Sequence, residues 1–73
     1  MKPYKLECIN VQHAIIATLR INGMGYEAKR LGTAILTDAP MDRNVPHVVR
    51  EAMARTTELS ESDREVWESC YGG

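Results

Sequence analysis

The stretch Leu19–Gly32, "LRINGMGYEAKRLG", decides how the chain is read. It has the form of a helix end, a glycine turn and a new helix start. Gly23 after Asn22 suits a helix terminus, because glycine enters the left-handed backbone region without a Cβ clash. Beyond it, residues 26–31 read as a second short helix with Gly32 as its terminator. Such a corner is either the turn of a DNA-reading helix-turn-helix or a purely structural feature. Ala28 and Gly32 have the four-residue spacing of a small residue and a glycine that lets two helices approach. A recognition helix carrying Arg, Gln or Asn should come next. The chain instead continues as "TAILTDAPMD" (33–42), which is apolar, acidic and broken by Pro40. DNA binding also depends on neutralising phosphates with Lys and Arg, and this chain has a net charge of −1. The structural corner is the better reading, with a small helix-turn-helix repressor as the alternative.

Upstream, "NVQHAIIATLRING" (10–23) is helical. Asn10 is a good N-cap, since its side-chain oxygen can accept an unpaired amide proton of the first turn. Val11, Ala14, Ile15, Thr18 and Leu19 recur at helical spacing and form the expected buried face, widened by Ile16 and Ala17. Ahead of it, "YKLECI" (4–9) is a short strand or an extended arm. Downstream, "TAILTDAP" (33–40) is a strand paired with it or a further helical turn, and "DAPMDRN" (38–44) is a loop.

"NVPHVVREAMARTTEL" (44–59) is the clearest helix. Pro46 suits its first turn, with Val45, Val48, Val49, Ala52 and Met53 as the buried stripe and Arg50, Glu51 and Arg55 toward water. "SESDREVWESCYGG" (60–73) opens like a capping box, with Ser60 and Asp63 three places apart. Val66, Trp67 and Cys70 or Tyr71 are its inward candidates. The expected fold is therefore mostly α, with three to four short helices and an optional two-stranded pairing of residues 4–9 with 33–38; the alternative is α+β. Residues 1–57 form the expected compact domain, and 58–73 an acidic C-terminal helix or partly ordered tail.

Seventy-three residues bury only about 60% of the surface the unfolded chain exposes, leaving little room for a deep catalytic pocket. At 44% hydrophobic and 26% charged the chain can collapse rather than stay disordered. No apolar run is long enough to span a membrane, and "MKPYKLECIN" has no secretory h-region, so the expected location is cytoplasmic. Cys8 and Cys70 read as reduced thiols, with Cys8 inside. Charge is uneven. Residues 1–32 hold five basic and two acidic side chains, a balance of +3, whereas residues 58–73 hold five acids against Arg64, a balance of −4. Such asymmetry can steer a partner.

Cys8, His13, His47 and Cys70 are the right types for zinc but lack its close ligand pairs, so no metal or cofactor is expected. No local Ser–His–acid or Cys–His spacing occurs, and "NGMGYEAKR" (22–30) lacks the phosphate-loop pattern; no enzyme activity is expected. What remains is a surface for another protein. Lys5, Arg20, Lys29 and Arg30, with Lys2, Tyr4 and Tyr26 beside them, make a candidate basic patch, and Arg43 in the polar loop joins it. Arg and Tyr anchor interfaces well.

The chain as a whole, opening "MKPYKLECINVQHAIIATLRINGMGYEAKR" and ending at Gly73, resembles the small RNA-polymerase-binding transcription regulators of lytic Xanthomonas phages. The resemblance implies a non-enzymatic protein of the host bacterial cytoplasm that binds the large subunits of bacterial RNA polymerase. It further implies inhibition of initiation by promoting sigma displacement, and antitermination near the RNA exit channel with NusA. It transfers no residue list. Lys5, Arg20, Lys29, Arg30 and Arg43 are contact candidates on charge alone.

Overall fold

The computed structural model describes residues 2–42 and 44–72. In chain order the elements are β1 (Tyr4–Glu7), α1 (Val11–Gly23), β2 (Ala28–Leu31), β3 (Ala34–Thr37), α2 (Val45–Glu51), β4 (Arg55–Thr57) and α3 (Glu61–Tyr71). The strands form one antiparallel sheet in the order β2-β3-β1-β4. The fold is α+β, which corrects the expected mostly α architecture.

The correction centres on the opening stretch. Residues expected as a second helix contain β2, a strand hairpinned to β3. Leu31 pairs with Ala34, leaving Gly32 and Thr33 as a two-residue loop. Gly32 has φ +64°, and a hairpin turn of the II′ type places glycine at this first central position. A helix of six residues would have borne the full cost of nucleation for very few hydrogen bonds, whereas a strand gains a ladder with β3. The helix-turn-helix reading falls with it, because the second helix it requires is a strand.

Pairing between residues 4–9 and 33–38, an option at the sequence level, is the centre of the sheet: Tyr4 lies opposite Thr37 and Leu6 opposite Ile35. β4 is the second correction. The helix expected over 44–59 stops at Glu51, and Arg55–Thr57 pair with Glu7–Lys5 on the far edge. At that stop Ala54 N–H donates to Val49 O at 3.0 Å and Met53 N–H to Arg50 O at 3.1 Å. This is a Schellman motif, with Met53 in the left-handed position at φ 51°. Met53, expected in the buried stripe, is therefore thrown outward and is 66% exposed.

α1 joins β1 to β2 across β3, and α2 joins β3 to β4 across β1, so two split βαβ units interleave. Side chains alternate between the two faces of a strand. Leu6 and Ile35 therefore meet Ala14, Ala17, Ile21, Val45 and Val48 under α1 and α2. Leu36 on the opposite face meets Leu59 and Trp67, with Leu31, Val66 and Tyr71 against them. α3 thus covers the second face of the sheet. It starts with the reciprocal capping box expected from Ser60 and Asp63 and is pinned near its end by Tyr71 Oη donating to Ala28 O at 3.2 Å. Cys70, one of its inward candidates, is exposed. No helix among the described residues is long and apolar enough to cross a membrane.

Candidate protein-docking site

The orientation of α1 creates the site. Its buried residues are Ala14, Ala17 and Ile21, one helical face, and this corrects the expected one. Of the expected set Ala14 and Ala17 are buried and Thr18 half-buried, whereas Val11, Ile15, Ile16 and Leu19 are exposed. Two overlapping stripes share Ala14 and Ala17, so the 3.6-residue period fits both. Alanines facing inward let α1 lie close to the sheet and α2, and the larger aliphatic side chains are left on the outside. Asn10 caps the helix as expected, its Oδ1 accepting from His13 N–H at 2.8 Å.

Between α1 and α2 runs a groove of about 350 Å³ lined by His13, Ile16, Ala17, Arg20, Val48, Glu51 and Ala52. Its floor is made of small apolar residues because both helices turn alanine or valine toward each other. Ile16 stands at its outer rim, 53% exposed. Two of its lining residues are ionic and paired: Arg20 Nη1 donates to Glu51 Oε2, and His47 Nε2, outside the lining, lies 2.9 Å from Glu51 Oε1. An apolar groove is a recognised receptor form for an amphipathic segment of another protein.

The basic candidates are dispersed rather than gathered. Lys5 lies on the α3 side of the sheet, its Nζ 2.9 Å from Asp63 Oδ2 and 3.6 Å from Glu7 Oε1. The hydrogen bond to Asp63 raises the Lys5 pKa, and the same bond from Lys5 lowers that of Asp63. Lys5 is thus committed inside the molecule. Arg20 is at the groove. Lys29 and Arg30 are exposed on edge strand β2, where successive residues point to opposite faces, and Arg30 Nη1 donates to Gly32 O at 2.9 Å. Cations on an edge also discourage strand addition by another chain. Arg43 lies outside the described residues. Tyr4 is half-buried and donates from Oη to Ala39 O at 2.6 Å; burial raises its pKa, assisted by Asp38.

The four zinc-type residues are separated. Cys8 is in the core, where burial and then Glu7 push its thiol pKa up. His13 Nδ1 sits 2.7 Å from Asn10 Oδ1, His47 is on Glu51, and Cys70 is exposed on α3. Among the described residues no group of three or more His, Cys, Asp or Glu could hold a metal ion.

The groove and the outward aliphatic residues of α1 are what sequence reasoning missed. One signal was available: with Arg20 as the single Lys, Arg, Asp or Glu within Val11–Gly23, the helix has no charged face to turn toward water. Compared with known proteins, the chain matches no family model, no curated protein and no solved structure.

Proposed function

We propose that this chain is a protein-docking module that acts without catalysis by seating the α1–α2 groove on a larger partner, and that the partner is bacterial RNA polymerase. The observation that carries the docking reading is the groove whose apolar lining is Ile16, Ala17, Val48 and Ala52, with the Arg20–Glu51 pair beside them. An apolar floor gains free energy when a partner covers it, and the Arg20–Glu51 pair adds polar groups beside it. The choice of polymerase rests on the resemblance of the whole chain to the phage regulators. On that reading the protein acts in the host bacterial cytoplasm. It binds a large polymerase subunit, favours the sigma-free form and, with NusA, opposes termination. A bound protein shifts the balance between polymerase forms only by its differential affinity for them. Lys29 and Arg30 on β2 remain candidates for secondary contacts that set the association rate.

The test is binding of the purified chain to bacterial RNA polymerase core and holoenzyme, followed by sigma release and by read-through at a hairpin terminator with NusA. Micromolar or tighter binding is expected. Ile16→Glu should weaken it at least tenfold, about 1.4 kcal/mol or more, with unchanged circular dichroism. Absence of binding to either polymerase form removes polymerase as the partner, and undiminished binding by Ile16→Glu removes the groove.

A further inference from the structure

α3 is held to the sheet by few groups. The face under α1 and α2 buries a cluster of eleven residues, whereas the face under α3 buries three, Leu36, Leu59 and Trp67. Beyond these, α3 is tied by the Lys5–Asp63 pair, whose side chains are 21% and 14% exposed, and by the bond from Tyr71 Oη to Ala28 O. An element with so little buried surface opens at a lower free energy than the whole fold. The strand register sorts the charges beneath it. Lys5 lies opposite Leu36 and Thr57, Lys29 opposite Leu36, and Glu7 opposite Ala34 and Arg55. All of them share the face that Leu36 presents to α3. That face has three basic side chains and one acidic, a balance of +2, whereas α3 sets Glu61, Asp63, Glu65 and Glu68 against Arg64, a balance of −3. Lys29 and Arg55, both exposed, make no ion pair among the described residues.

We propose that α3 is a displaceable cover, and that the sheet face beneath it accepts an acidic amphipathic helix of another protein in its place. α3 itself shows the chemistry that the face selects. Its apolar side, led by Trp67, packs on Leu36 and Leu31, and its Asp63 carboxylate meets Lys5. An incoming helix therefore needs an aromatic anchor for the two leucines and carboxylates for Lys5, Lys29 and Arg55. Nucleic acid suits the face less well. None of its strand residues is aromatic, so nothing there stacks a base, and the Glu7 carboxylate repels phosphate. Because α3 and the incoming helix compete for one face, the apparent affinity is the intrinsic one scaled by the fraction of chains in which α3 has opened. Weakening the attachment of α3 must then strengthen binding of the competitor.

The test uses the full chain and a fluorescently labelled, helix-stapled peptide of residues 58–73 as the probe, read by anisotropy. Asp63→Lys in the chain sets two cations against each other and detaches α3, while the core under α1 and α2 keeps one cooperative urea transition. The probe should bind this variant at least tenfold more tightly than it binds the wild-type chain. Asp63→Asn, the milder change, should give a smaller gain in the same direction. A probe carrying Trp67→Ala should lose the binding. Equal affinity for the wild-type and Asp63→Lys chains overturns the proposal, as does binding that survives Trp67→Ala in the probe. A single-stranded oligonucleotide that gains more than the peptide from Asp63→Lys also overturns it. Neither the α1–α2 groove nor polymerase enters this test, so this reading and the docking reading can fail separately.

Discussion

Thr37 shows how much a single side chain carries in a sheet this small. It is fully buried, and its hydroxyl donates to Glu27 O at 2.7 Å while accepting from Ala39 N–H at 3.1 Å. One side chain thereby satisfies two backbone groups, one on each side of the sheet end where β3 leaves toward the loop. Thr37→Val keeps the shape but leaves both backbone groups without that partner. The expected loss is about 1–3 kcal/mol, read as a lower urea midpoint with an unchanged slope. The backbone of Met53 is a second residue-scale constraint. Nothing in its side chain favours φ 51°; the Schellman hydrogen bonds at the end of α2 hold it there.

At the scale of elements, that helix end separates the long helix expected from the short helix and strand observed. Val49 and Ala54, joined by the Schellman bond that spans five residues, are both half-buried against the core. Their burial against the core favours stopping at Ala52 over another turn of helix, which would carry Arg55 and Thr56 away from β1. Met53→Gly removes the left-handed penalty while keeping both bonds. It should raise stability by about 1 kcal/mol, checked by thermal or urea unfolding; a loss of stability would show that the Met53 side chain holds the turn. The caps of α1 and α3 were legible at this scale, because Asn10 and Ser60 act on amides two or three residues away. The hairpin was written there too, as "AKRL" and "AILT" separated by Gly-Thr, but the glycine served equally well as a helix terminator.

At the scale of the whole molecule the sheet has two covered faces of different character. The face under α1 and α2 is wholly apolar at its centre, whereas the face under α3 couples Leu36, Leu59 and Trp67 to the Lys5–Asp63 ion pair. Asp63 has its pKa lowered below the ordinary 3.8, so its contribution is present above that pH and lost as pH falls through the folded-state value. Lys5 has its pKa raised above the ordinary 10.5, so its contribution is present below that pH and lost as pH rises through the folded-state value. Asp63→Asn keeps an oxygen for the Ser60 cap and removes the charge. The stability difference between wild type and Asp63→Asn should reach at most about 1 kcal/mol. It should be flat from about pH 5 to about pH 9 and shrink beyond 3.8 and 10.5. The single tryptophan, Trp67, supplies the fluorescence signal on the α3 face. A difference independent of pH across both limits would mean that the ion pair does not hold α3.

Local chemistry determined the helix starts at Asn10 and Ser60, the apolar stripe Val45, Val48, Val49 and Ala52, and the strand potential of residues 4–9 and 33–38. These depend on neighbours within a few places along the chain, which a sequence displays directly. Tertiary structure decided that Ala28–Leu31 is a strand, that Arg55–Thr57 closes the far edge, and which of two overlapping stripes on α1 faces the sheet. Each choice depends on a partner distant in sequence: β3 for β2, β1 for β4, and the space that Val48 and Ala52 leave for Ala17. It also drew Lys5 under α3 and set Arg20 against Glu51, dispersing a basic patch that charge alone had grouped. Periodicity fixes the pitch of a helix but not its rotation, and that rotation placed Ile16 at a groove and Val11, Ile15 and Leu19 on open surface.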